Sequence, residues 1–213
     1  MHPVLRCIAS PIELCIVSFR IYVLPCMCCI SIPWFRRCCL FSDNEFNDDA
    51  LGCEFEANRA NIEWRRCYDI PKRKFISQHI TPSDLIQGGI GDCWLISAMS
   101  CLAEHHGALH RLFDSRRVSI LGKYTVNLYN SVEKKWVKIT IDDQIPYMKN
   151  QNKPLFAQCQ DNEIWPLLLE KAFAKCVGDY SKLKGGSIAW GLQALTGDNV
   201  MRFTQKDRVW NKL

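Results

Sequence analysis

A run of glycines leads directly into an apolar segment with helical spacing at residues 87–106. Within that segment, apolar side chains recur every three or four residues: Trp94, Leu95, Met99 and Leu102. This spacing predicts a helix from about Cys93 to His106, with Gly107 as its C-cap. The pattern places one cysteine, Cys93, at the N-terminus of a helix and directly after a turn.

A cysteine in this position has the chemistry of a nucleophile. A thiol attacks a carbonyl as the thiolate, and the free amides and dipole of a helix N-terminus favour negative charge. The glycines would let a substrate backbone lie close to Cys93, and the side-chain amide of Gln87 and the backbone amide of Cys93 could form an oxyanion hole. A cysteine beside glycines is nevertheless more often a small buried residue. The residues alone leave both interpretations open.

The rest of the chain predicts more helices and one hairpin. Residues 123–129 and 136–143 alternate apolar and polar side chains around a polar turn, which is typical of an antiparallel pair. Residues 162–178 predict a second helix, with Asn162 as a candidate N-cap, Pro166 in its first turn and Gly178 after its end. Residues 182–197 predict a third, short helix, whereas residues 41–70 have the composition of an irregular acidic lead-in. The predicted fold class is α/β of the α+β type, mainly helical, with a short antiparallel sheet.

Charge and cysteine content exclude some classes of function. The net charge of +5 is spread along the 213 residues, and its densest basic cluster, at 71–74, is too short for a nucleic-acid footprint. Of the 13 cysteines, those after residue 40 show no spacing typical of a metal site. The odd total of 13 cysteines and the absence of a clear secretory signal predict free thiols in a reducing compartment and a cytoplasmic location.

The first 40 residues differ from everything that follows. They are apolar, but interspersed charges and prolines argue against both a transmembrane helix and a signal peptide. One interpretation is a membrane-proximal tail that is palmitoylated at Cys28, Cys29, Cys38 and Cys39. The other, which the lack of any sustained period favours, is a segment that is not natural coding sequence. We therefore expect residues 1–40 to be a separate Cys-rich extension, and membrane association only through it.

Several segments together resemble one protease family. Residues 87–94 read QGGIGDCW, and here the chain resembles the calpains, papain-like cysteine proteases whose nucleophile lies in QGxxGDCW at the start of a helix. Three further segments are similar to calpain sequences: FSDNEFNDD, IEWRRCYDI and EIWPLLLEKAFAKCVGDYSKLKGG. The resemblance covers about Phe41 to Thr204. It implies that residues 41–204 form the first catalytic lobe and that residues 205–213 begin the connection to a second lobe.

The resemblance also implies roles for particular residues. Cys93 would be the nucleophile and Gln87 the oxyanion donor. Trp94 would pack behind the nucleophile at the substrate cleft, and Gly186 would line the cleft and bind the substrate backbone.

A calcium site is implied in the same lobe. Its carboxylates would come from Asp84 and Glu163, with backbone carbonyls near Ser77 and His79, and hard oxygen ligands of this kind suit calcium. Without the resemblance, Asp84 would be a turn residue and Glu163 an acid in the first turn of a helix. Pro82 stands where calpains often carry a basic residue that relays calcium binding between the lobes, which puts that relay in question.

The proton-transfer residues of calpains lie elsewhere. Their histidine and asparagine follow the cysteine by well over a hundred residues, in the second lobe, and this sequence ends at Leu213. His105, His106 and His110 would lie about 18 Å or more from Cys93 along the helix axis, at ~1.5 Å per residue, and cannot reach its sulfur. The resemblance implies a calcium-dependent cysteine endopeptidase for intracellular limited proteolysis of protein substrates, and we expect this polypeptide to be inactive alone. The alternative is a non-catalytic module that binds calcium or a partner.

Overall fold

A computed structural model describes residues 55, 59–77, 85–105, 107–149, 151 and 153–200. The predicted extension at 1–40 and the predicted connection at 205–213 lie outside these residues. The described part of the chain is a mixed structure of small antiparallel sheets packed around helices. This confirms the predicted fold class.

Seven short strands are present in the described residues. They are β1 (Ile62–Arg66), β2 (Leu85–Ile86), β3 (Lys123–Asn130), β4 (Lys135–Asp142), β5 (Gln144–Met148), β6 (Lys153–Pro154) and β7 (Gln158–Cys159). The strands form a three-stranded sheet in the order β1-β5-β6 and two pairs, β2-β7 and β3-β4, all antiparallel. The predicted hairpin is therefore confirmed as β3-β4, whereas β1 lies in the segment that was expected to be irregular.

The described α-helices are α1 (Cys93–Ala103), α2 (Ala108–Leu112), α3 (Trp165–Val177) and α4 (Ile188–Thr196). Helix α1 is buried along most of its length and packs against α4 and β2. Helix α3 contributes buried leucines and aromatic side chains to the same core. None of the helices in these described ranges is long and apolar enough to cross a membrane.

Two predicted helix boundaries were wrong. Helix α1 ends at Ala103, because His105 N–H bonds to the Leu102 carbonyl (3.0 Å) and tightens the last turn. Gly107 instead adopts a left-handed conformation (φ 82°) that turns the chain into α2, so it precedes a second helix and is not the C-cap of the first.

The start of α3 also differs from the prediction. Asn162 has φ 56° and is not the N-cap; Ile164 occupies that position. A short parallel bridge explains the delay, since Lys74 N–H bonds to the Asn162 carbonyl (3.0 Å) and Ile164 N–H to the Lys74 carbonyl (3.0 Å). Pro166 in the first turn and Gly178 after the end are confirmed.

Candidate active site

Cys93 is the first residue of α1, and it is exposed with its thiol free. The helix begins when the Asp92 carbonyl accepts the backbone N–H groups of Leu95 (2.8 Å) and Ile96 (3.1 Å). Gly91 precedes this turn with φ 75°, a conformation that favours glycine. The amides of the first turn of a helix have no partner within the helix. The sulfur therefore lies at the open, electropositive end of α1, as the sequence predicts.

The predicted oxyanion loop is held by a distant segment of the chain. Gln87 is exposed and directly follows β2, the strand that pairs with β7. Gly89 N–H bonds to the Leu155 carbonyl (3.1 Å), and the space beside the Cα of Gly88 is filled by the backbone of Phe156. Because α1 packs against β2, the loop and the start of the nucleophile helix lie on the same part of the lobe.

Trp94 fixes the opposite side of the site. Its side chain is buried, its indole Nε1 donates to the Leu183 carbonyl (2.8 Å), and its ring lies 5.0 Å from that of Trp190. A Cβ at Gly186 would lie 2.6 Å from the indole Nε1, so this exposed glycine lies directly over the ring. Gly185 N–H bonds to the Gly91 carbonyl (3.3 Å), which joins this segment to the turn before Cys93.

Glu163 lies in a separate, buried place at the start of α3. Its Oε1 accepts the backbone N–H of Ser77 (2.5 Å) and its Oε2 accepts the indole Nε1–H of Trp165 (2.6 Å). The Cys159 Sγ is 3.7 Å from Oε2. Glu163 also borders a cavity of about 370 Å³. The structure therefore brings together Glu163 and Ser77, whereas His79 and Asp84 lie outside the described residues.

Comparison with known proteins places the chain in a family. The family described as "Calpain family cysteine protease" matches residues 41–213. The chain belongs to the calpain family. Calpain-8 of Rattus norvegicus is 34% identical over 168 residues, which are 74% of this chain and 24% of that protein. Calpain of Schistosoma mansoni is 33% identical over 79% of this chain and 23% of its own length. Calpain-1 catalytic subunit of Bos taurus is 35% identical over 79% of this chain and 24% of its own length.

The calpain chain thus spans about a quarter of the length of these relatives. The predicted family is confirmed, and membership supports a cysteine-protease class of hydrolase. Within the described ranges, no cluster of three or more His, Cys, Asp or Glu side chains is arranged to hold a metal ion.

The brace under the predicted oxyanion loop was not itself predicted from the sequence. It consists of main-chain groups of Leu155 and Phe156, which any side chains could supply. The only sequence signal for it is Gly88 itself, since a residue without a Cβ is needed where another backbone approaches closely.

The brace predicts unequal effects of two neighbouring substitutions. In Gly88→Ala the new methyl would overlap the carbonyl group and Cα of Phe156, which are backbone atoms and cannot rotate away. We expect the free energy of unfolding to fall by about 1–3 kcal/mol, as for overpacked sites. In Gly89→Ala the methyl would meet only the Leu155 carbonyl oxygen at 3.7 Å, an ordinary contact. Urea unfolding of both variants checks this, and equal losses would contradict the assigned role of Phe156.

Proposed function

We propose that the protein carrying this calpain lobe is a calcium-dependent, cytoplasmic endopeptidase that cleaves protein substrates through an acyl-enzyme at Cys93. The observation that carries the proposal is the exposed thiol at the first position of α1, beside a glycine loop with a fixed backbone. Cytoplasmic location rests on the cysteine usage of the sequence, because free thiols persist in reducing compartments.

The proposed reaction begins at the sulfur. The Cys93 thiolate attacks the carbonyl carbon of the peptide bond, and the developing oxyanion accepts hydrogen bonds from the Cys93 amide and the Gln87 side chain. Expulsion of the amine leaves a thioester, which water then hydrolyses. Gly186, exposed over the Trp94 ring, leaves room for a substrate backbone to lie against the main chain.

In this proposal, the general base is a residue outside this polypeptide. Cys93 begins α1, whereas His105 and His110 follow the other end of that helix. An 11-residue helix is about 16 Å long, which is well beyond the reach of a proton transfer. A histidine and an asparagine from a second lobe, as the calpain resemblance implies, would deprotonate the thiol and protonate the leaving amine.

Calcium would act through the Glu163 region. The Glu163 carboxylate is buried and borders a cavity, and its oxygens accept hydrogen bonds from neutral N–H groups of Ser77 and Trp165. A buried carboxylate with neutral partners and hard oxygen atoms suits a calcium ion. Glu163 and the carbonyl of the Ser77 segment would hold it together with Asp84 and His79. When bound, the ion supplies positive charge that would stabilise the lobe in register with its partner.

Two assays test the proposal. An antibody against residues 153–200 should capture the protein from cells that produce it. The captured protein should hydrolyse casein in the presence of calcium, and the hydrolysis should stop when the calcium is chelated. The recombinant polypeptide 1–213 should hydrolyse no casein above a Cys93→Ala control, because the described histidines, His105 and His110, lie too far from the sulfur to act as its base. If the captured protein shows no calcium-dependent hydrolysis, the protease proposal fails and the non-catalytic binding module takes its place. A calcium-dependent difference between 1–213 and its control would refute the proposal that the general base lies outside this polypeptide.

A further inference from the structure

Two carboxyl groups face each other in the core directly behind the nucleophile. Asp92 is 0% exposed and precedes Cys93, and Glu170 is 2% exposed in the middle of α3. The two side chains lie within hydrogen-bonding range of one another. Among the described residues, no N–H or O–H group of another residue donates to the Asp92 carboxylate, and the side chain that it faces is the acid Glu170. A hydrogen bond between two carboxyl groups requires a proton on one of them.

The surroundings of the pair favour keeping that proton. Burial and the neighbouring Asp92 charge hold the pKa of Glu170 well above its usual range, and burial also raises the pKa of Asp92. The segment after α3 adds one more titratable group near both acids, the Tyr180 phenol. Burial raises the pKa of Tyr180 well above its usual value, and the charges of Glu170 and Asp92 raise it further. Lys171, next to Glu170 in the chain, is turned towards Asp142 and forms an ion pair there. Two buried carboxyl groups that face one another do not both remain ionised.

Glu170 also contacts the brace of the oxyanion loop. Both of its carboxyl oxygens lie within range of the Ala157 backbone N–H, at 3.2 and 3.1 Å. Ala157 directly follows Phe156, whose backbone fills the space beside Gly88, and Leu155 accepts the Gly89 N–H. One side chain therefore contacts the residue at which the nucleophile helix begins and also the segment that supports the oxyanion loop.

We propose that Glu170 is a positioning residue that fixes the start of α1 relative to the oxyanion loop, through a carboxyl–carboxylate pair with Asp92 that shares one proton. Its meaning for catalysis rests on the proposed roles of Cys93 and Gln87. The contacts themselves do not depend on those roles, and the tests below need no peptide hydrolysis.

The positioning role is tested with two substitutions in the 213-residue chain. Glu170→Gln keeps an acceptor for Ala157 and an amide donor for Asp92, so we expect near-normal behaviour. Glu170→Leu keeps the volume but removes both contacts. We expect its backbone amides of Gly89, Leu95 and Ala157 to exchange with solvent at least about tenfold faster, because each loses its support. The Gln variant should stay within about twofold of the unmodified chain.

Alkylation adds a readout at the sulfur itself. Iodoacetamide labelling, resolved by peptide mass spectrometry, compares Cys93 with Cys101, an exposed thiol near the other end of the same helix. In Glu170→Leu the Cys93-to-Cys101 rate ratio should fall by about threefold or more, since the first-turn amides are no longer held in line with the thiolate. The ratio should be unchanged in Glu170→Gln.

The shared proton is tested by counting protons on unfolding. The unfolded acids are both ionised at pH 7, whereas the folded pair would retain a proton, so unfolding should release it and stability should fall as the pH rises. The pH dependence of the urea unfolding midpoint between pH 6 and 8 gives the number of protons released on unfolding. We expect Glu170→Gln to release one proton fewer on unfolding than the unmodified chain. Equal numbers of released protons would overturn the proposal that the pair shares a proton.

A control on the same helix separates positioning from general loss of stability. Lys175→Met alters a side chain of α3 that bonds to the Thr140 carbonyl, away from the pair. If Glu170→Leu speeds exchange at Ala157 alone, and matches Lys175→Met at Gly89 and Leu95, the positioning role is refuted. Should Glu170→Leu not fold, Asp92→Ala cuts only the α1 side of the link. It should then speed exchange at Leu95 and spare Ala157, and unchanged exchange at Leu95 would overturn the proposal.

Discussion

Under the proposed function, replacing Cys93 by alanine in the protein as cells make it is expected to lower kcat/KM for casein by roughly 10⁴-fold or more, since loss of a covalent nucleophile removes the whole acyl-transfer route. The structure predicts that the loss is chemical and not structural. Cys93 is exposed at the first position of α1, and the core-facing side chains of that helix begin with Trp94. A small side chain at position 93 therefore leaves the packing of the lobe unchanged.

Cys101 provides the matched control for that experiment. It is a free, exposed thiol in the last turn of the same helix, at the end where negative charge is disfavoured. We expect Cys101→Ala to retain activity within about twofold, because the thiol is about 12 Å from Cys93 along the helix axis. Thermal unfolding of both variants checks that the fold is intact. Equal loss of activity in the two variants, or retained activity in Cys93→Ala, would contradict the assignment of the nucleophile.

Replacing Lys171 by methionine is expected to lower the free energy of unfolding by about 3–5 kcal/mol, the cost of breaking a buried ion pair by removing one partner. Lys171 is completely buried in α3, and its ammonium group bonds to the Asp142 carboxylate and the Gln144 carbonyl. It also lies 5.1 Å from the centre of the Trp64 ring. Burial lowers the pKa of Lys171, whereas Asp142 opposes that shift and stabilises the charge. Methionine preserves the apolar stem but leaves Asp142 without its cation.

Lys175, one turn later on α3, separates the ion pair from general effects of the substitution. Its ammonium group donates to the Thr140 carbonyl (2.6 Å). Lys175→Met should cost about 0.5–1.5 kcal/mol, the net value of a typical hydrogen bond. Urea unfolding at pH 7 measures both variants. A Lys171→Met variant no less stable than Lys175→Met would show that the buried pair contributes specificity and not stability.

The sequence predicted the elements whose signals are local. The alternation in 123–129 and 136–143 predicted the β3-β4 hairpin to within one residue at its ends, and Pro166 and Gly178 marked the limits of α3. The prediction of Asn162 as the N-cap of α3 was wrong, because the main-chain bridge to Lys74 holds residues 162–164 out of the helix. The preference of asparagine for the N-cap position is weaker than this bridge.

The buried polar residues were the main feature of the fold that local sequence patterns could not predict. Glu170 and Lys171 would be assigned to the exposed face of an amphipathic helix, but both are buried because α3 is surrounded by other elements. Their partners, Asp92 and Asp142, come from distant parts of the chain. Likewise the QGGIGDCW segment predicted that Cys93 begins a helix but not what supports the preceding loop.

The brace between Phe156 and Gly88 has a consequence for how this lobe is made. A ribosome adds about 5–20 residues per second, so roughly 3–14 s separate the synthesis of the glycine loop from that of the segment that supports it. During that interval Gly88 and Gly89 have no backbone partner to hold the observed loop conformation. The nascent chain therefore carries Cys93 for several seconds before the neighbouring glycine loop can take its folded shape.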